Sequence, residues 1–312
     1  MAITLIVNPG SSSKKYALYE GGTLLLAAHI EHDPNGVTMC VSVNGVADRC
    51  EPMNGQAFPT SLLDFLERAI NEKVLVSSTD IAMVGVRVVA PGTYFATHRV
   101  VDEEYIERLQ KKTEAAPLHI PHTLKELTII RHALPHALIV SASDSAFHNS
   151  LPAVAHQYSI PVSDAEMLDL YRFGYHGLSV ASVVRRLSVV GVVAHARVVV
   201  CHIGSGVSVT AVREGKSIDT TMGYAPGSGL IMGSRAGDLD TGALLALMRV
   251  RNLKPTDAEM YLQTAGGLRG LGGENDLRLL LERRAQGQKA ATRAIESFVY
   301  QIQKSIGAFV AA

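Results

Sequence analysis

Two short Gly/Ser turns in this chain have the make-up of anion cradles. The first, Asn8-Pro9-Gly10-Ser11-Ser12-Ser13, is followed by Lys15; the second, Gly204-Ser205-Gly206, is preceded by His202 and Ile203. Glycine lets backbone N–H groups close on an anion, and the hydroxyls add donors. Asn8 and Lys15 bracket the first turn with a metal-compatible amide and a cation. Taken singly, each turn reads as a tight hairpin; at matching places in two halves they become candidate phosphate sites. Two arginines sit where charge is costly. Arg87 lies inside the apolar run Gly85-Val-Arg-Val-Val89, and Arg235 lies among glycines in Met232-Gly-Ser-Arg-Ala-Gly-Asp238. Such a guanidinium needs an anion, and carboxylate or phosphate fits its fork. A structural ion pair, with Asp238 for instance, competes with that reading. Asp144 ends a buried run, a good place for catalysis or metal binding and equally for a helix N-cap. His176 stands in Phe173-Gly-Tyr-His-Gly177, and His202 ends a strand; a lone histidine is more often structural than catalytic.

Other patterns carry less. Gly215-Lys216-Ser217 resembles the end of a Walker loop, but Thr210 occupies the place of its first glycine, and the triplet lies between strands. It reads as a hairpin turn. His119/His122 and His132/His136 lack acidic or thiol partners, which argues against zinc.

The elements that must hold these residues follow from periodicity. Ile3–Val7, Lys15–Tyr19 and Thr23–Ile30 read as a three-strand meander, with turns between. Leu62, Leu63, Phe65, Leu66 and Ile70 are spaced for a helix over 61–70. Ile81–Val89 and Leu138–Ala142 read as strands, Asp102–Gln110 and Thr123–Ala133 as helices. Arg197–His202, Val207–Val212 and a strand starting at Ser217 repeat the opening order of strand, Gly/Ser turn, strand, turn, strand. This suggests duplicated α/β domains facing each other, with a boundary near Asn149–Pro161. At the end, Ile295, Phe298, Val299, Ile302, Ile306, Phe309 and Val310 form a helical apolar stripe that stops at Ala311-Ala312. A helix ending so is expected to continue or to pack onto something that follows.

Composition narrows the classes. The chain has 312 residues, 47% hydrophobic and 19% charged, enough to bury a sizeable core in two domains. Its 29 basic and 29 acidic residues balance, which argues against nucleic acid or a polybasic membrane contact as partner. Three cysteines, Cys40, Cys50 and Cys201, are an odd number with no CxxC pair. They fit neither a disulfide framework nor structural zinc, and a reducing compartment is the natural reading. The N-terminus lacks a basic segment and cleavage site, so no signal peptide is expected. The run Leu187–Val200, broken by Ser188, His195 and Arg197, is too polar to span a bilayer.

Together the motifs resemble those of the acetate kinase family, in the acetate and sugar kinase, Hsp70 and actin superfamily. The resemblance rests on Asn8-x-Gly-Ser-Ser-Ser-x-Lys15, Arg87-Val-Val, Ala116-Pro-Leu-His119, Asp144-Ser-Ala-Phe-His148 and Tyr171-Arg-Phe-Gly-Tyr-His-Gly177. It continues through Cys201-His-Ile-Gly-Ser-Gly206, Met222-Gly-Tyr-x-Pro226, Gly229-Leu-x-Met-Gly-Ser-Arg-x-Gly-Asp-Leu-Asp240 and Asp276-Leu-Arg278. These stretches occur in family order across nearly the whole chain. The resemblance implies an α/β fold of two duplicated ribonuclease H-like (actin-like ATPase) domains around a cleft. Residues 1–150 would be the N-terminal domain on the substrate side. Residues 151–312 would be the nucleotide-binding domain, truncated relative to the family.

It further implies a cytoplasmic, homodimeric enzyme that transfers phosphate from ATP to acetate, with Mg²⁺ as cofactor and Mn²⁺ as a substitute. Asn8 would help hold the metal and Lys15 would lie near the ATP phosphates. Arg87 would bind the substrate carboxylate, Asp144 is the family's catalytic aspartate, and His176 and Arg235 would stabilise the transition state. His202, Ile203, Gly204, Ser205 and Gly206 would contact the nucleotide phosphates, and Asp276, Leu277 and Arg278 the adenosine end. Val89, Leu118, Tyr175 and Pro226 would line a pocket for the methyl end of the acid. A propionate or other short-chain acid kinase, or a truncated non-catalytic nucleotide binder, are the alternatives. The chain departs from the family in Val86-Arg-Val-Val-Ala-Pro-Gly92, where two flanking histidines are expected, in Tyr175 for phenylalanine and in Ser145 for threonine. It also lacks the family's later strand and Gly-Gly-Ile-Gly-Glu-Asn loop, and the C-terminal apolar stripe leads to an expectation of truncation.

Overall fold

The computed structural model describes residues 2–33, 36–46, 49–117, 119–191 and 196–312. The chain divides into two compact units, residues 1–90 with 97–143, and residues 91–96 with 144–312. The division at Ser143/Asp144 falls a little before the Asn149–Pro161 stretch, because Asp144 and Ser145 already bond to the 174–177 segment.

The first unit opens with β1 (Ile3–Asn8), β2 (Ser13–Glu20) and β3 (Thr23–Asp33), the meander that the apolar runs predict. Period-two alternation sets its faces: Leu5 and Val7 are fully buried while Ile6 between them is exposed. Two strands without a clear sequence signal, β4 (Gly36–Val43) and β5 (Arg49–Met53), extend the sheet antiparallel to β3. On its other side β1 pairs parallel with β6 (Ile81–Val88), which pairs parallel with β8 (Leu138–Ser143); the two-residue β7 (Arg99–Val100) closes the edge. The order is β5-β4-β3-β2-β1-β6-β8-β7. Helix α1 (Ser61–Asn71) buries Leu62, Phe65, Leu66 and Ala69, one face at helical spacing. Between β6 and β8 run α2 (Glu103–Lys111), capped by Asp102, and α3 (Ile120–Ala133). Glu126 of α3 is buried and meets two groups of β2: the Lys14 ammonium at 2.7 Å and the Tyr16 hydroxyl, which donates at 2.7 Å.

Cys40 and Cys50 face each other across β4 and β5 and are joined by a disulfide. This corrects the reading of the cysteines from their number and spacing: an odd count leaves room for one bridge, and strand pairing, invisible in the spacing, brings these two together.

The second unit carries α4 (Ala153–His156), α5 (Val162–Leu168) and α6 (Gly177–Val189), then an antiparallel sheet in the order β11-β10-β9. Its strands β9 (Arg197–Ile203), β10 (Val207–Arg213) and β11 (Lys216–Thr220) repeat the β1-β2-β3 meander. Gly215-Lys216-Ser217 is indeed a hairpin: Arg213 pairs with Lys216 across Glu214 and Gly215, both at positive φ. Val180 and Val184 of α6 pack with Val200 and Val212 of the sheet. Five helices follow: α7 (Thr241–Arg251), α8 (Pro255–Thr264), α9 (Gly267–Gly272), α10 (Leu277–Ala285) and α11 (Lys289–Ala311). The apolar stripe of α11 divides: Ile295 and Phe298 are buried, whereas Val299 and Val310 are exposed. Among the described residues no helix is long and apolar enough to cross a membrane.

Candidate active site

In the first unit the predicted residues sit on regular strands. Asn8 ends β1 and lies opposite Lys15 in the β1–β2 register. Lys15 is exposed, while its neighbour Lys14 is buried in the Glu126 network, as alternation along a strand requires. Arg87 projects from β6, and its Nη1 donates to Asn8 Oδ1 at 3.2 Å. Three predicted residues thus gather at neighbouring strand ends. Val89, just beyond β6, is buried. Leu118 lies outside the described residues.

In the second unit the predicted residues sit on turns, and backbone bonds fix them. The segment Phe173–Gly177 is held at every residue. Phe173 and Gly174 N–H groups donate to Gly223 O, and Ser145 Oγ donates to Gly174 O at 2.6 Å. His148 lies 2.9 Å from Tyr175 O through Nε2 and 2.9 Å from Ser217 Oγ through Nδ1. Since a carbonyl only accepts, Nε2 carries the proton and the serine donates to Nδ1. Burial lowers the His148 pKa, consistent with this neutral form. Tyr175 is buried, its pKa raised by that burial, and its hydroxyl donates to Tyr224 O at 2.6 Å.

His176 takes a left-handed conformation, φ 61° and ψ 15°, at the start of α6. A non-glycine residue holds this conformation when its surroundings enforce it. Asp144 supplies the enforcement. Its carboxylate Oδ2 accepts the His176 N–H at 2.8 Å, and its carbonyl accepts the Gly177 N–H at 2.7 Å. A Cβ on Gly177 would come within 2.5 Å of that carbonyl, so only glycine fits. Asp144 does not cap the turn that follows it, where Ser145 stands at the N-cap without a side-chain bond; its carboxylate instead holds the backbone of the distant His176, which corrects the N-cap alternative.

The His176 ring stacks on that of His202 at 4.0 Å. A Cβ on Gly206 would lie 2.9 Å from His176 Nε2 and 3.8 Å from Arg235 Nη1, so the imidazole and the guanidinium both face the Gly204–Gly206 turn. That turn is tied down by Gly204 N–H to Gly206 O, and its Ser205 carbonyl accepts from Gly233 of the Arg235 loop. Arg235 Nη1 donates to the carbonyl of buried Pro226 at 2.9 Å. Asp238, the ion-pair candidate for Arg235, accepts the Gly229 N–H at 2.7 Å. Ile203, Gly204 and Ser205 are exposed.

Asp276 caps α10 and pairs with Arg278 at 2.7 Å, which holds its carboxyl at about 2. Leu277 opens that helix. The structure thus gathers Asp144, Tyr175, His176, His202, Gly206, Pro226 and Arg235 in one connected cluster of the second unit. Sequence reasoning missed Arg172, whose guanidinium donates to Ala155 O and Thr220 O, and Ser179 and Ser208, which bond the two histidines. Ser208 left some signal: with Thr210 it is one of two hydroxyl residues buried in the otherwise apolar run Val207–Val212.

For a metal, the donors on hand are sparse. Among the described residues no group of three or more His, Cys, Asp or Glu side chains could hold an ion. Asn8 and Asp144 each offer oxygen donors, in separate units. Each is the kind of donor that Mg²⁺ carried in by phosphates takes one or two at a time, and neither alone fits a resident ion.

A meander with Gly/Ser turns, extended by parallel strands in one unit and repeated in the other, defines the actin-like ATPase class of α/β phosphotransferases. The Acetokinase family profile matches residues 3–312. The chain is 32% identical to an acetate kinase of Flavobacterium johnsoniae, over 99% of this chain and 79% of that protein. It is 33% identical to a propionate kinase of Edwardsiella piscicida, over 99% and 77%. The crystal structure of a propionate kinase from Francisella tularensis superposes with a TM-score of 0.90 at 27% identity, covering all of this chain and 80% of that one. The chain belongs to the acetokinase family.

Proposed function

We propose that this chain catalyses reversible phosphoryl transfer from ATP to acetate, giving acetyl phosphate and ADP. The observation that carries the reading is a family match over nearly the whole chain, joined to His176 and Arg235 converging on the Gly204–Gly206 turn. An acetate oxygen attacks the γ-phosphorus while the bond from that phosphorus to the β,γ-bridging oxygen breaks. The acid is already ionised at neutral pH, so no proton need be removed. The difficulty is bringing one anion to another, which cations and N–H donors overcome by neutralising charge and holding the line of attack.

In this reading Arg87 binds the acetate carboxylate; Val89 is the first unit's candidate for contact with its methyl group, and Tyr175 and Pro226 are the second unit's. Lys15 and the His202–Gly206 turn hold phosphates, and Asp276–Arg278 lies at the adenosine end. His176 and Arg235 meet the charge that spreads over the transferring group. Asp144 holds His176 in place through its backbone and organises metal and water. Mg²⁺ or Mn²⁺, when bound, neutralises the nucleotide phosphates, with Asn8 as one oxygen donor. Relatives include both acetate and propionate kinases. One methylene is worth only about 1–3 kcal/mol, so acetate is expected to be preferred over propionate by a modest factor.

Hydroxylamine trapping of acyl phosphate, with ATP, Mg²⁺ and acetate, propionate or no acid, tests the reading. Acetate-dependent product is expected; ATP binding without any acyl phosphate would refute it. A cytoplasmic homodimer completes the proposal. It predicts a dimer mass by light scattering.

A further inference from the structure

The two stacked imidazoles are fastened in a crossed manner. His176 opens α6, yet its Nδ1 lies 2.9 Å from Ser208 Oγ on β10. His202 belongs to β9, directly opposite Ser208 in register, yet its Nδ1 lies 3.0 Å from Ser179 Oγ, in the first turn of α6. Each ring is held by a serine from the other ring's side. Ser208 is fully buried. Both Nε2 edges face the same turn: 2.9 Å from a Cβ on Gly206 for His176, and 3.8 Å from a Cβ on Gly204 for His202.

We propose that Ser208 and Ser179 form a reciprocal hydroxyl clamp that positions His176 and His202 for phosphoryl transfer. The inference rests on the phosphotransferase reading. To meet a phosphate oxygen, Nε2 must carry a proton, and what bonds Nδ1 decides whether it does. A carboxylate at Nδ1 would hold a proton there. A hydroxyl can donate to Nδ1 of the neutral ring or accept from Nδ1–H of the cation, by rotation of one bond. The clamp therefore keeps ring orientation constant while charge changes, and it does so for both rings at once. The serines act through the rings they bond and are positioning residues.

The test uses the full chain with ¹⁵N-labelled histidine, comparing wild type with Ser208→Ala, Ser179→Ala and Ser179→Thr. Long-range ¹H–¹⁵N spectra without substrate read the tautomers. The wild type is expected to hold both rings as the Nε2–H form. Ser208→Ala releases His176 and Ser179→Ala releases His202 into tautomer mixtures, with thermal unfolding of both variants confirming an intact fold. In acyl-phosphate assays Ser208→Ala is expected to lower kcat by about 100-fold, the scale of a small misplacement, with KM for acetate unchanged. Ser179→Thr, which restores a hydroxyl, recovers both the spectrum and the rate. Unchanged tautomers in the alanine variants, or released tautomers with unchanged kcat, would overturn the clamp. A wild type that makes no acyl phosphate would sink the phosphotransferase reading instead, while the spectra still decide whether the serines hold the rings.

Discussion

The two units present their candidate residues by opposite means. In the first, Asn8, Lys15 and Arg87 stand on regular strands; the pleat sets their faces, and a side-chain bond joins Arg87 to Asn8. That unit's buried ion pair lies elsewhere, in the Lys14–Glu126–Tyr16 network. In the second, Asp144, His176 and Arg235 stand on turns. The atoms proposed to act are there bonded to the atoms that hold the backbone. In the first unit the site residues bond through side chains, whereas in the second they bond the backbone, so holding the fold and acting on a ligand are entangled there.

The largest expected effect strikes the first unit away from its site. Glu126→Ala strands a buried ammonium and should destabilise the protein by about 3–5 kcal/mol, read by urea unfolding. The double variant Lys14→Met/Glu126→Leu should recover most of that loss. A cost near zero for Glu126→Ala would remove the distinction between scaffold and site there.

Next, Asp144→Asn should separate the entangled roles. The amide oxygen still accepts the His176 N–H, so the unfolding temperature should hold, while kcat falls by about 10²–10³, the scale seen for loss of one electrostatic contact. Asp144→Ala should lose both. Equal losses of stability in the two variants would show that the carboxylate charge itself caps the turn.

A smaller effect follows from His148. Its folded pKa lies below the unfolded value of about 6.5. The unfolded chain therefore binds more protons between those two values, and stability falls as pH drops below about 6.5. The slope from this one group is at most about 1.4 kcal/mol per pH unit. The difference in urea midpoint between wild type and His148→Gln, from pH 7.5 to 5, reads it; parallel curves would contradict it. The smallest effect is expected for Tyr175→Phe, which deletes one buried hydrogen bond to Tyr224 O and should cost about 0.5–1.5 kcal/mol.

Legibility in the sequence followed the same division. Apolar runs announced β1, β2, β3, β6, β8, β9 and β10, and apolar spacing announced helices at α1, α2 and α3, because burial leaves a trace in the sequence. Strands β4 and β5 left little trace; mixed polar residues and short length hid them, and with them the cysteine pairing. The strand-borne site residues of the first unit could be placed by counting. Those of the second could be named from motifs, but their geometry could not be foreseen. Nothing local to Asp144 says that its carboxylate reaches a backbone N–H of the 173–177 segment. The serines behind the histidines were missed because each lies in a different element from the ring it bonds, Ser208 on β10 and Ser179 on α6.

Lys14 and Lys15 are adjacent in sequence and divided in fate, one buried on Glu126 and the other exposed. A one-residue slip of β2 would put a lysine back beside Glu126, so charge cannot proofread the pairing of this strand. The slip would, however, seat Ala17 where the Tyr16 ring now meets Glu126 and Phe65, and Tyr19 where Leu18 is buried. Error detection in β2 thus falls to a phenol and a leucine, and the ion pair, for all its strength, is blind to the mistake.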